Sequence, residues 1–208
     1  MVEILDISDS GFSNGPIRGE AFGGLASLLS LTMGGNVFTS TIPSELYRLP
    51  SLQLLSLNRV VFTGVEQNVS FLSQMPSIVA FTLDDAVMNS HTIPTEIGLV
   101  KPTLAILSMT SSYLTGSIPT EIGSLTGIKG LGLSGNQLVG TIPAVLGNLT
   151  SLEWLSLENT TVVGSMPSSV CMLRSPTGAL SRLGMDCDGT TEGRCSCCTC
   201  CGVVDCGR

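Results

Sequence analysis

Aromatic side chains are scarce in this sequence, at 4% of 208 residues, and charged ones reach only 12%. Any core must therefore be built from Leu, Ile, Val and Met. So little charge is unlike the surface of an ordinary globular α/β domain. Nine basic residues stand against 16 acidic ones, a net charge of -7. No Lys/Arg patch exists to neutralise phosphates, which excludes nucleic acid as a partner and disfavours anionic lipid. His91 is the single histidine. There is no G-x-S-x-G, no phosphate loop and no His beside a Ser or Cys nucleophile, so neither enzyme activity nor a cofactor is expected. The opening residues Met1 to Asp6 include Glu3 where a secretory leader has a basic start. The longest charge-free stretch, Ala21 to Ser44, contains Asn36, Pro43 and four glycines. It reads as a surface of turns, not as a membrane span.

What the chain does have is internal repetition. The clearest copy is Leu131, Leu133, Asn136, Leu138, Gly140, Ile142 and Pro143, and its successor is Leu155, Leu157, Thr160, Val162, Gly164, Met166 and Pro167. Earlier copies run from Leu107, Phe81, Leu55 and Leu31, with a degenerate one at Leu5. The last apolar residue of each Leu-x-Leu pair falls at 7, 33, 57, 83, 109, 133 and 157, so every spacing is either 24 or 26. In a strand, alternate side chains share a face, so each pair points inward together. One coil cannot bury that face alone, and stacking is required. Asn36 and Asn136 occupy a position where a buried amide bonds the backbone of neighbouring coils. Ser10, Val60, Ala86, Ser112 and Thr160 stand there in other copies, so looser coils are expected around residues 58–90. Pro after Ile forbids an ordinary helix start, and short helical or 3₁₀ turns such as 120–125 and 144–149 follow on the convex side.

These residues resemble the plant-type leucine-rich repeat, whose consensus runs L-x-x-L-x-L-x-x-N-x-L-x-G-x-I-P. The resemblance covers about residues 1–170. It implies an α/β solenoid: a right-handed superhelix with seven to eight short parallel strands on the concave face. Members of that class are receptor ectodomains, receptor-like proteins and secreted inhibitors of cell-wall enzymes. The resemblance therefore implies recognition of a protein, peptide or glycan at the cell surface or outside the cell. The first coil begins directly on a strand with Ile4, Leu5 and Ile7 uncovered, so further repeats or a membrane anchor before Met1 are expected in a longer protein.

Residues 171–208 form a second unit: an eighth strand around Leu183 and Met185, then a cysteine-rich cap. All eight cysteines lie here, at Cys171, Cys187, Cys195, Cys197, Cys198, Cys200, Cys201 and Cys206. An even number clustered at one end reads as a disulfide-stapled cap in an oxidising compartment, and it resembles the tails of some algal leucine-rich repeat proteins. The competing reading is a metal cap, because Cys195/Cys198, Cys197/Cys200 and Cys198/Cys201 have C-x-x-C spacing. Those pairs overlap on one short run, and no metal site is assigned.

Strand alternation supplies candidate ligand contacts on the concave face: Ser56, Asn58, Thr82, Asp84, Ser108, Thr110, Ser134, Trp154, Ser156 and Glu158. Trp154, the single tryptophan, reads either as an interface anchor or as a ring packed flat on the cap. Asp84 and Glu158, with Asp6 and Asp85, read as an acidic strip or as plain solvated carboxylates. The Ser/Thr column also raises an ice- or wall-surface binder as the alternative function. Asn68, Asn148 and Asn159 begin sequons and are candidate glycan sites.

Overall fold

A computed structural model describes residues 2–13, 15–63, 68–88, 91–174, 178–186, 197 and 200–201. Each Leu-x-Leu segment makes a short strand. In chain order these are β1 (Ile4–Asp6), β2 (Ser30–Thr32), β4 (Leu54–Ser56), β6 (Ala80–Thr82), β7 (Ile106–Ser108), β8 (Gly130–Gly132), β9 (Trp154–Ser156) and β10 (Arg182–Met185). A two-residue β11 (Cys200–Cys201) adds to β10. All join one parallel sheet in sequence order. The register is unbroken: Leu5, Leu31, Leu55, Phe81, Leu107, Leu131, Leu155 and Leu183 lie side by side. These eight side chains are buried or, for Leu5, packed against the core. Their stacking is what makes one solenoid of eight coils.

A second, smaller parallel pairing runs along the flank, where β3 (Val37–Phe38) pairs with β5 (Val61–Phe62). Single bridges continue the row, among them Val61 to Val87, Ser117 to Val139 and Thr141 to Val163. The sequence reading did not anticipate it. Phe38 and Phe62 are buried from this row, with ring centroids 6.2 Å apart.

The convex side carries the expected short turns. Helix α1 (Ser44–Tyr47), the 3₁₀ segments Ser70–Gln74, Thr95–Leu99, Thr120–Ser124 and Ala144–Asn148, and helix α2 (Ser168–Met172) stack in sequence. The proline does not delay these turns. Pro43, Pro94, Pro119, Pro143 and Pro167 are each the extended residue just before a turn. Their carbonyls accept the first i+3 hydrogen bond, as in Ile122 N–H to the Pro119 oxygen at 3.2 Å. A missing proline N–H is no loss at a helix start.

The amide ladder is partial, as expected, and the strand register runs on through the coils that lack it. Asn136 is buried and donates to the carbonyls of Met109, Leu133 and Ser134, while its oxygen accepts the N–H groups of Ser112 and Leu114 at 3.0 Å. Asn36 does the same toward Ile7, Met33, Gly34 and Phe12. Ser112 stands in with a hydroxyl donated to the Leu83 carbonyl of the preceding coil. Val60 and Ala86 fill their positions with hydrocarbon and are fully buried. Sheet register continues through these coils; residues 64–67 and 89–90 lie outside the described ones.

Replacing Asn136 by Ala orphans two buried N–H groups and should lower the unfolding free energy by about 2–4 kcal/mol. Thr160→Ala, which removes one hydroxyl bonded to the Leu157 carbonyl, should lose about 1 kcal/mol. Urea unfolding followed by circular dichroism measures both.

Candidate functional site

Outward-facing residues of the sheet form three parallel columns. The middle one is Asp6, Thr32, Ser56, Thr82, Ser108, Gly132, Ser156 and Gly184 in direct register. The column before it ends Ile106, Gly130, Trp154 and Arg182. Small side chains dominate, and this leaves the floor of the concave face low and broad.

The hydroxyls and carboxylates on this floor are bonded to one another. Thr82 donates its hydroxyl to that of Ser56 at 2.9 Å. Asn58 accepts the Asp84 N–H at 2.8 Å. One oxygen of Asp84 accepts three donors: the Ser108 hydroxyl at 2.7 Å, the Thr110 hydroxyl at 2.7 Å and the Thr110 N–H at 2.8 Å. Asp84 is thus neither a free acidic patch nor a merely solvated carboxylate; it ties β6 to β7. At the first coil, the Thr32 hydroxyl and the Ser8 N–H hold the exposed Asp6 carboxyl below the usual carboxylate range.

Trp154 rests on the strand that precedes it. The indole lies flat across the preceding strand: a Cβ added to Gly130 would overlap Cε2, Cζ2 and Nε1, and one at Gly132 would come within 3.2 Å of Cζ3. Two glycines therefore form its bed. With one face on that bed, the other is turned into the concave space, and the residue is half-buried. Beyond it, Glu158 accepts the Ser156 hydroxyl at 2.6 Å, and its carboxylate lies over Gly184. A cavity of about 260 Å³ opens between Trp154, Ser156, Glu158, Arg182 and Gly184. Arg182 and Gly184 belong to the site although strand alternation was not carried onto the eighth strand. The Leu183/Met185 motif was signal enough to find them.

Ser134 is half-buried one coil before Glu158, and its carbonyl accepts the Ser111 N–H at 2.9 Å. His91 is on the flank beside Tyr113, Thr115 and Gln137, with its carbonyl bonded to the Thr115 N–H. Among the described residues no group of three or more His, Cys, Asp or Glu is placed to hold a metal ion.

The family model for the leucine-rich repeat matches residues 127–149. The ectodomain of the plant membrane receptor kinase GASSHO1/SCHENGEN3 from Arabidopsis thaliana, in complex with CASPARIAN STRIP INTEGRITY FACTOR 2, superposes with a TM-score of 0.70 at 26% identity. The Arabidopsis receptor kinase HAESA, in complex with the peptide hormone IDA and the co-receptor SERK1, superposes at 0.69 and 26%. The chain has the leucine-rich repeat fold and is similar to the ectodomains of plant receptor kinases. In each case 88% of this chain is covered, but only 20% and 33% of those chains. Internalin C2 from Listeria monocytogenes, at 18% identity and a TM-score of 0.67, covers 95% of this chain and shares the fold alone. No curated protein matches.

At the end of this repeat protein, Cys171 on α2 is bonded to Cys197, and Arg174 donates to the Cys197 carbonyl. Cys197 is thereby removed from the C-x-x-C pair with Cys200. Cys187, Cys195, Cys198 and Cys206 lie outside the described residues, and Cys200 and Cys201 are described as strand only. Of the sequons, Asn148 is exposed on the convex turn and Asn159 is exposed at the rim of the concave face with φ of 55°. Asn68 is half-buried and accepts the Ser70 N–H at 2.9 Å. No helix among the described residues is long and apolar enough to cross a membrane.

Gly130→Ala should displace the indole while leaving the fold intact, because the Gly130 backbone does not occupy the left-handed region. The expected readout is a shift of tryptophan emission with an unchanged far-UV spectrum. Unaltered emission would show that Trp154 does not rest on Gly130.

Proposed function

We propose that the chain is a non-catalytic recognition module that binds an extended extracellular ligand, a protein, peptide or glycan, along its concave sheet. It would act as part of a receptor-like or cell-surface protein. The observation that carries this reading is the unbroken register of small outward side chains, with a preorganised indole at one end. An extended chain laid across parallel strands meets equivalent positions every 4.7–4.9 Å. Aromatic side chains concentrate binding energy at such surfaces. The resemblance to HAESA and GASSHO1/SCHENGEN3, both solved in complex with ligands, supports a recognition role.

An ice- or wall-lattice binder is less well supported. Such a face needs regularly spaced hydroxyls free to meet the lattice, whereas Thr82, Ser56 and Ser108 are engaged with one another and with Asp84. Exposure makes Asn148 and Asn159 the sequons best placed to carry glycans, the first away from the sheet and the second beside it. Cysteine pairing in an oxidising compartment fits the same location.

Arginine at Thr82 and Ser108 would fill the floor of the concave face, and arginine at Glu121 would mark the convex side. Immobilised protein should capture material from secreted-protein and cell-wall glycan fractions, and the Thr82→Arg/Ser108→Arg variant should lose at least tenfold of that signal. Glu121→Arg should retain it. Equal loss in both variants, or in neither, contradicts use of the concave face.

A further inference from the structure

We infer that the cavity between Trp154 and Arg182 is a monosaccharide subsite, which takes one neutral pyranose ring of a β-linked glycan. The inference rests on the concave-face reading and names the ligand chemistry at its C-terminal end. Four observations lead to it.

The indole is a fixed platform. Its position over Gly130 and Gly132 holds one face against the sheet and turns the other outward. A flat aromatic face of partial negative charge attracts C–H groups of partial positive charge. The axial hydrogens of an all-equatorial pyranose form such a face. Little ordering cost attends binding, because the ring is already in place.

The charges around the cavity are balanced and unpaired with each other. Arg182 is exposed in register with Trp154, and Glu158 lies across Gly184. The ion pairs among the described residues are Arg59–Asp9 and Lys129–Glu153, neither of which involves this cavity. A cationic ligand would meet the Arg182 guanidinium and an anionic one the Glu158 carboxylate. A neutral ligand with both donors and acceptors satisfies the two. Vicinal sugar hydroxyls do this: they donate to a carboxylate and accept from a guanidinium fork.

Glycine at 184 makes room for the Glu158 carboxylate on the cavity floor; a side chain there would collide with it. Ser156 holds that carboxylate from below at 2.6 Å, so its orientation is set before a ligand arrives. Finally, the size is that of one ring. About 260 Å³ falls below the roughly 300–1,000 Å³ of sites for drug-sized ligands, so a longer glycan would place one unit here and run on across the sheet.

Trp154 is the chain's single tryptophan, so its emission reports this cavity alone. The intact chain is titrated with cellohexaose, a neutral β-1,4-linked probe, with maltohexaose as the α-linked control, by tryptophan fluorescence and calorimetry. Cellohexaose should change the emission with saturation and release heat, and maltohexaose should bind at least tenfold more weakly. Arg182→Ala and Glu158→Gln, both surface changes that leave the core intact, should each weaken cellohexaose about tenfold. Unchanged emission and no heat with cellohexaose overturn the assignment, as does equal binding of both probes. Loss of capture in Thr82→Arg/Ser108→Arg alongside a silent cellohexaose titration would sink the pyranose subsite and leave the concave-face reading standing.

Discussion

Inward stacking of one Leu-type side chain per coil is the constraint on which everything else in this molecule rests. Leu31, Leu55, Phe81, Leu107, Leu131, Leu155 and Leu183 are each almost fully buried. A buried Leu or Phe side chain is worth about 1.5–3 kcal/mol. No coil has enough such residues to fold alone, and each neighbour supplies the missing contacts. Because side chains alternate in a strand, placing this column inward also dictates which residues face out. The recognition surface is therefore a by-product of the core.

Hydrogen bonding then closes what packing leaves open. Asn36 and Asn136 bond the backbone across coils, Ser112 does part of that work with one hydroxyl, and Thr160 bonds the Leu157 carbonyl within its own coil. Val60 and Ala86 show a second solution, in which hydrocarbon fills the position and the register persists. On the outer face, Asp84 ties Ser108 and Thr110 together, which stiffens the middle of the sheet. Trp154 and Glu158 each lie across a glycine of an adjoining strand. Aromatic and acidic groups are thus held in place by what the neighbouring strand lacks.

Much of this was legible in the sequence. The fixed return of Leu-x-Leu placed seven of the eight principal strands, and the Leu183/Met185 motif placed the eighth, Arg182–Met185. Three features were not legible. The flank pairing of Val37–Phe38 with Val61–Phe62 involves two-residue segments too short for a period to show. The bed of Trp154 depends on Gly130 and Gly132, which lie 24 and 22 residues earlier; only the three-dimensional register makes them neighbours. Asp84 looked solvated because its donors, Ser108 and Thr110, belong to the following coil. Each miss concerns a contact between coils, whereas the repeat pattern describes one coil at a time.

The most direct test of the stacked register is the distance between two residues of one outward column. Spin labels carried on non-natural side chains at Thr32 and Ser156 are five strand steps apart, which is about 24 Å between backbones at 4.7–4.9 Å per step. Pulsed electron resonance should give one narrow distribution near that value, broadened only by the label arms. A broad distribution, or one centred well beyond it, would mean that the coils do not stack in register and that no continuous recognition face exists.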